Sequence, residues 1–167
     1  MKDQLEIERV FLLQRMPELP PGSECLVITQ GYFEPGSTQG QGRLRRTACP
    51  NGTVICHANV KHGTGRVRHE RESIIDISEF EHDWPATSGR RIRKHRHRVA
   101  ANGLVWEIDE FLDLPLVLAE IELPAIDHEV TFPPWLALVL VREVSDDPRY
   151  HNYALALHGI PPEGAGR

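Results

Sequence analysis

The sequence contains no apolar run that could cross a membrane, no internal repeat and no stretch of low complexity. Its longest apolar run, Trp135–Val141, has seven residues, whereas a membrane-spanning helix needs about 20. No apolar signal segment opens the chain. The three cysteines, Cys25, Cys49 and Cys56, are odd in number and do not have the spacing of a zinc site. We therefore expect a reduced, cytoplasmic protein that does not bind membranes.

An excess of basic charge is also missing, because 19 Lys and Arg residues face 24 Asp and Glu residues, for a net charge of −5. This balance argues against a protein that binds nucleic acid through its overall charge. The basic run GRRIRKHRHR (residues 89–98) has no accompanying aromatic stacking platform, so we do not expect nucleic acid as a partner. The chain also has no glycine-rich phosphate loop of the Walker type.

The composition of the chain is ordinary for a globular protein, with 40% hydrophobic and 26% charged residues. Its 167 residues suit one domain with a sizeable core. Turn signals such as CPNGT (Cys49–Thr53) and AANG (Ala100–Gly103) separate short segments of strand character. This punctuation predicts an antiparallel β-barrel or sandwich, and the Asn-Gly pair in CPNGT predicts a hairpin.

Three helices are predicted. The first would be capped by Ser78 and run through Trp84, and the second would open at Pro133 and Pro134. The third would cover Arg149–Leu157 and stop at Gly159. Its apolar face would consist of Tyr150, Tyr153, Ala154 and Leu157. Such a C-terminal helix would pack against the β-structure or plug it.

Charged residues alternate along six of the predicted strands. Residues i and i+2 of a strand share a face, and that face carries Glu6 and Glu8; Arg43 and Arg45; Arg68, Glu70 and Glu72; Lys94, Arg96 and Arg98; Glu107 and Asp109; and Glu120 and Glu122. The opposite faces carry apolar residues such as Leu44, Trp106, Ile108 and Ile121. For any one strand, the simplest interpretation is a solvated charged face over an apolar core.

Six such faces, most of them of one charge type, favour a second interpretation, in which the strands close into a barrel with a charged lumen. A charged lumen is stable only if it is wet or filled by ions and an anionic ligand. Clustered carboxylates suit Mg²⁺ or Mn²⁺, and clustered Arg and Lys suit phosphate. Together they suit a metal-bound polyphosphate.

The chain resembles the CYTH superfamily, the triphosphate tunnel metalloenzymes, and among them the small bacterial inorganic triphosphatases. The matching pieces occur in order along nearly the whole chain. They are EIERVFL (residues 6–12), QGYF (30–33), RLR (43–45), VK (60–61), RHERE (68–72), WPATSGRRIRKHR (84–96), WEIDEF (106–111), LAEIEL (118–123), PPW (133–135) and EVSDDPRYHNYALA (143–156).

This resemblance implies a single domain over residues 1–167 of the α+β class, with a closed antiparallel β-barrel, or tunnel, of about eight strands, helices packed outside and a C-terminal helix. It implies hydrolysis of inorganic triphosphate, or of nucleoside triphosphates, with Mg²⁺ or Mn²⁺ as cofactor, and a homodimer. The metal would be held by Glu6, Glu8, Glu120 and Glu122. The substrate would be held by Arg43, Arg45, Lys61, Arg68, Lys94 and Arg96. The catalytic residues would be Tyr32, Arg45 and Lys94, with Glu70, Glu72 and Asp109 as supporting groups.

One departure from the family motif concerns Val10. The motif is Glu-x-Glu-x-Lys, and the lysine is valine here. The missing ammonium leaves open a protein that binds triphosphate or polyphosphate with little turnover. A class IV-type adenylate cyclase and a thiamine triphosphatase are further alternatives, since both activities occur in the superfamily.

Overall fold

The structure is a computed structural model that describes residues 7–36, 41–62 and 69–162, including all side chains in these ranges except those of 41, 60–62 and 69–71. The nine strands are β1 (Ile7–Leu13), β2 (Glu24–Tyr32), β3 (Gln41–Ala48), β4 (Val54–His62), β5 (His69–Ile75), β6 (Arg91–Ala101), β7 (Leu104–Phe111), β8 (Val117–Leu123) and β9 (Leu140–Glu143). The three α-helices are α1 (Ile77–Asp83), α2 (Pro134–Ala137) and α3 (Asn152–His158). None of the helices in the described ranges is both long enough and apolar enough to cross a membrane.

All nine strands form one antiparallel sheet in the order β5-β4-β3-β2-β6-β7-β8-β1-β9. The predicted α+β class and antiparallel pairing are confirmed, with nine strands in place of about eight. Within the described residues no pairing joins β5 to β9, so the sheet is open between these two edges.

Two tight turns set the register of the central hairpins. In the predicted CPNGT turn between β3 and β4, the Cys49 N–H donates to the Thr53 carbonyl at 2.8 Å. Between β6 and β7, Asn102 and Gly103 both adopt positive φ angles, 54° and 79°. Positive φ at both central residues is the mark of a type I′ turn, whose twist matches that of the paired strands.

Apolar residues of β3, β4, β7 and β8 lie on the outer face of the sheet, and many of them are buried. Trp106, Ile108 and Ala119 have no exposed surface, and they pack in one cluster with Leu136 of α2. A second cluster joins the outer positions of β3 and β4 to Phe80 of α1. Helices therefore cover the outer face, as the resemblance implied.

The first helix starts two residues earlier than predicted. Asp76, in extended conformation, occupies the N-cap position, so Ser78 lies inside α1 and the predicted Ser78 cap is wrong. The helix ends at Asp83 and continues as a short 3₁₀ turn, Trp84–Thr87. The prediction for α2 is confirmed, because Pro133 is its N-cap and Pro134 its first residue.

The C-terminal helix is confirmed, but its predicted apolar face is wrong. Tyr150 belongs to a separate 3₁₀ turn, and His151 is extended (ψ 139°), so α3 starts only at Asn152. This break shifts the helical phase. Leu155 is buried, whereas Leu157 is 39% exposed.

Gly31 lies at the closest approach between β2 and the 3₁₀ turn after α1. A Cβ atom at this position would lie 2.5 Å from the Thr87 Oγ1 atom and 2.9 Å from the Trp84 ring. Thr87 is itself fixed, since its hydroxyl donates to the Trp84 carbonyl at 2.8 Å. Gly31 therefore lets the turn pack directly on the strand that carries Gln30 and Tyr32.

The edge strand β9 is short and is held against β1 by an ion pair as well as by backbone hydrogen bonds. The Arg9 Nε and Nη2 atoms donate to the two Glu143 carboxylate oxygens at 2.8 and 2.6 Å. The Ser145 hydroxyl also donates to Glu143, at 2.6 Å. This pair lowers the pKa of the Glu143 carboxyl, mainly through the Arg9 hydrogen bond.

We expect Gly31→Ala to destabilise the protein by about 1–3 kcal/mol, the usual cost of overpacking a tight contact. The measurement is the free energy of unfolding in urea. Thr29→Ala, two residues earlier on the same face of β2, is the control and should change that free energy much less. Equal effects of the two substitutions would contradict the proposed close contact.

Candidate functional site

The strand register gathers the alternating charged residues on one side of the sheet, here called the inner face. Directly paired residues of antiparallel strands share a face. Glu8 pairs with Glu122, Glu120 with Glu107, and Asp109 with Arg96. Across β2, Gln30 pairs with Arg45 and Tyr32 with Arg43. The separate strand faces seen in the sequence thus form one continuous surface.

Acidic and basic residues occupy different parts of the inner face. Most acidic positions lie on β7, β8 and β1, which are neighbours in the sheet, and the basic positions lie on β6 and β3, on either side of β2. Glu72 of β5 is an exception, because it lies beside Arg43 and Arg45. Opposite charges therefore meet where β6 pairs with β7. A polyphosphate lying across this surface would have cations on one side and carboxylates for a metal on the other.

Where these two halves meet, five side chains form a largely buried ionic cluster. Asp109 and Lys94 are 0% and 1% exposed, and the Lys94 ammonium donates to Asp109. The Arg96 guanidinium donates to both Asp109 oxygens, each at 2.7 Å, and also to Glu107 and Glu120. On a solvated face these charged side chains would be exposed to water. The interpretation of a solvated charged face over an apolar core is therefore wrong for this part of the sheet.

The two buried carboxylates of this cluster differ in charge state. Burial favours the neutral form of Asp109, but the Lys94 and Arg96 cations outweigh it and hold the pKa of Asp109 below its usual value. Burial, together with the Asp109 charge, raises the pKa of Glu120 to about 8. Asp109 is therefore ionised at neutral pH, whereas the Glu120 side chain is mostly protonated at neutral pH.

Tyr32 is placed to donate a hydrogen bond. Its hydroxyl accepts from the Gln30 Nε2 atom at 2.9 Å, and its ring meets that of Tyr153 from α3 edge-on, with 5.2 Å between centroids. Burial raises the pKa of Tyr32 to about 12. The phenol therefore keeps its proton and can offer it to an anionic oxygen.

Arg43 and Arg45 share one carboxylate partner on β5. The Glu72 carboxylate lies 2.9 Å from Arg45 and 3.7 Å from Arg43. Burial, and then the Arg43 charge, lower the pKa of Arg45. The Arg45 Nε atom is buried and has no hydrogen-bond partner in the described part of the chain. A buried cationic donor without a partner is the feature expected where an anion binds.

The remaining predicted site residues are placed as follows. Glu8 and Glu122 are exposed at paired positions of β1 and β8. Lys61 is paired through its backbone with Gln41 and Glu70, but its side chain and that of Glu70 lie outside the described side chains. Glu6 and Arg68 lie outside the described residues. Their predicted roles stay predictions.

Sequence reasoning gave no role to three side chains that contact the predicted site. Glu107 appeared in the alternation but was not assigned. Gln30 contacts Tyr32, and the Asn152 Oδ1 atom of α3 accepts from Lys94 at 3.4 Å. An isolated amide has no periodicity that could single it out, so Gln30 and Asn152 become visible only when the chain is folded.

Val10 lies on the inner face opposite Glu120. Its side chain packs against an apolar cluster at the end of the inner face that α3 covers, together with Phe111, Tyr150 and Leu155. The family motif places a lysine ammonium at this position, whereas in this chain the valine side chain extends the apolar cluster.

Because burial raises the pKa of Tyr32 to about 12, we expect it not to ionise below about pH 11 in the folded protein. The measurement is phenolate absorbance during an alkaline titration of native protein and of Tyr32→Phe. The two curves should coincide up to that pH. Loss of an ionisation step near pH 10 in Tyr32→Phe would contradict the buried placement.

Comparison with known proteins gives two curated relatives. The inorganic triphosphatase of Nitrosomonas europaea is 36% identical over 157 residues, which is 91% of this chain and 97% of that protein. The inorganic triphosphatase of Acetivibrio thermocellus is 44% identical over 96 residues, 54% of this chain and 56% of that protein. No protein-family model matches the chain.

A solved structure indicates the same family as the two curated relatives. The crystal structure of the inorganic triphosphatase NE1496 superimposes with a TM-score of 0.69 at 34% identity, covering 95% of this chain and 98% of that one. The similarity thus extends over almost the whole length of both proteins. This chain belongs to the family of inorganic triphosphatases, which confirms the resemblance drawn from its motifs.

Proposed function

We propose that this protein hydrolyses inorganic triphosphate to pyrophosphate and phosphate with the help of a divalent metal, Mg²⁺ or Mn²⁺, and that the site is a tunnel formed by its inner face. The observation that carries the proposal is the division of one sheet face into a mainly acidic and a mainly basic part. The relatives named inorganic triphosphatase support the choice of substrate. Nucleoside triphosphates present the same three phosphates and are a second substrate class for this site.

Closure of the sheet into a tunnel is part of the proposal. Its support is that helices cover the outer face while Asp109 and Lys94 are fully buried on the inner one. Two-sided burial is typical of a sheet that curls around its inner face. We further propose one domain over residues 1–167.

The acidic residues fit a hard divalent cation in type and in strand position. Carboxylate oxygens are the ligands that Mg²⁺ prefers, and Glu8, Glu120 and Glu122 occupy neighbouring positions of β1 and β8. In the described side chains no three acidic, His or Cys residues already converge on one point, and Glu120 is engaged by Arg96. We propose these three residues, with Glu6, as the metal ligands, and Glu120 would release its proton when the metal binds. A bound metal would neutralise phosphate oxygens and make a water molecule more acidic.

The basic residues would hold the substrate and stabilise its developing charge. Arg43, Arg45, Lys94 and Arg96, with Lys61 and Arg68, supply the cations that phosphoryl transfer requires at the terminal phosphate and at the departing pyrophosphate. The Arg45 Nε donor, which has no hydrogen-bond partner among the described residues, would bind a phosphate oxygen. Tyr32, which keeps its proton, would donate a hydrogen bond to another phosphate oxygen rather than act as a base.

The test is phosphate release from inorganic triphosphate with Mg²⁺, Mn²⁺ or neither. Arg45→Ala should lower kcat/KM by about 10²-fold or more, as loss of one transition-state donor does. Arg46→Ala is the matched control, since Arg46 is the next residue and is exposed on the opposite face. The proposal fails if the two substitutions have equal effects.

The same assay also tests the requirement for a divalent metal. Glu8→Gln should raise the concentration of Mg²⁺ or Mn²⁺ needed for half-maximal activity, and Glu18→Gln, an exposed carboxylate outside the sheet, should not. Phosphate release at full rate after chelation of metal would rule out metal dependence.

The placement of Val10 favours a second candidate function, a protein that binds triphosphate or polyphosphate with little turnover. An apolar side chain opposite Glu120 supplies no charge to the phosphates. Binding would then persist through the arginines while the chemical step is slow.

We expect Val10→Lys to raise kcat, by up to about 10²–10³-fold if the ammonium acts as one extra transition-state donor. Val10→Met, which adds length without charge, is the control and should not raise kcat. Calorimetry of triphosphate binding to native protein separates the two functions. Tight binding with no phosphate release from native protein would establish the binding function and contradict the hydrolase.

A further inference from the structure

Asp109 contacts both predicted substrate-binding cations of β6. Its Oδ1 atom accepts from the Arg96 Nε atom, and its Oδ2 atom accepts from the Arg96 Nη2 atom, each at 2.7 Å. The same Oδ2 atom accepts from the Lys94 ammonium. Asp109 itself has no exposed surface, so a substrate in the tunnel would not reach it directly.

This arrangement fixes the spacing of two cations along one strand. Arg96 is the register partner of Asp109, and Lys94 lies two residues from Arg96 on the same face, about 7 Å along the strand. A carboxylate that holds both must draw their side chains toward one point. Without it, two positive charges in a buried environment would repel each other and turn toward other partners.

The other contacts of the two cations are not shared. Lys94 is approached by Asn152 from α3 and by the Phe111 ring, 5.4 Å from the ammonium to the ring centroid. Arg96 is also held by Glu107 and Glu120. In the part of the chain that the structure describes, Asp109 is the one side chain hydrogen-bonded to both cations.

We propose that Asp109 is a positioning residue for the hydrolysis: it sets the place and direction of the Lys94 ammonium and the Arg96 guanidinium that act on the phosphates, without touching the substrate. This inference rests on the proposed function. A purely structural role would require only a negative charge near the two cations. The positioning role requires in addition that the carboxylate lies at one defined place.

The test compares Asp109→Asn and Asp109→Glu with native protein in phosphate release from inorganic triphosphate. A displacement of about 1 Å in a positioned group can cost 10²-fold in rate. We therefore expect kcat to fall by about that factor in both variants, although Asp109→Glu keeps the negative charge. In Asp109→Asn the triphosphate itself can supply the missing negative charge, so KM should not rise.

Asp113→Asn is the matched control. Asp113 makes a comparable pair with Arg93, at 2.7 Å, but with side chains that are 36% and 58% exposed. It should leave kcat and KM unchanged. Circular dichroism and calorimetry of triphosphate binding without metal provide readouts that do not depend on turnover, and they identify any variant that is not folded. If Asp109→Asn does not fold, Asp109→Glu alone decides.

Three outcomes are distinguishable. A fall in kcat without a rise in KM, in folded Asp109→Glu, supports the positioning role. Native kcat in folded Asp109→Glu would overturn it while leaving the proposed function intact. Native protein that neither binds nor hydrolyses triphosphate would overturn the proposed function, and the inference with it.

Discussion

The contact of Lys94 and Arg96 with Asp109 is the interaction on which the rest of the inner face depends. Charges at positions that are 0–1% exposed are stable only when opposite charges and hydrogen bonds neutralise them inside the protein. Register provides this neutralisation, because the basic strand β6 pairs directly with the acidic strand β7. The order of the strands is thus as important for the site as the residues that they carry.

The two faces of the sheet need opposite kinds of packing. The outer face carries apolar clusters that are covered by α1 and α2, whereas one end of the inner face is closed by the 3₁₀ turn around Tyr150 and by α3. The C-terminal helix therefore has two roles, since it buries apolar residues and also brings Asn152 and Tyr153 to Lys94 and Tyr32. Stability and site geometry are coupled through this one short helix.

Much of this arrangement could be predicted from the sequence. Alternation with a period of two identified both faces of β3, β7 and β8, and Asn-Gly identified a hairpin, because both signals are local. The Ser78 cap and the apolar face of α3 were wrong because a two-residue shift of the cap to Asp76 and an extended His151 are decided by tertiary packing. The contacts of Gln30 and Asn152 could not be predicted, since single amides follow no pattern. Which carboxylates pair with Lys94 and Arg96 also depends on the order of the strands, and the alternation of residues along one strand does not reveal that order.

The short edge strand β9 has a consequence for the behaviour of the protein in concentrated solution. An exposed sheet edge presents unpaired backbone groups that can recruit a strand from another molecule. Here that edge is only four residues long and carries Arg142 and Glu143, both exposed, with Glu143 held by Arg9. Charged side chains on so short an edge disfavour the growth of intermolecular sheets.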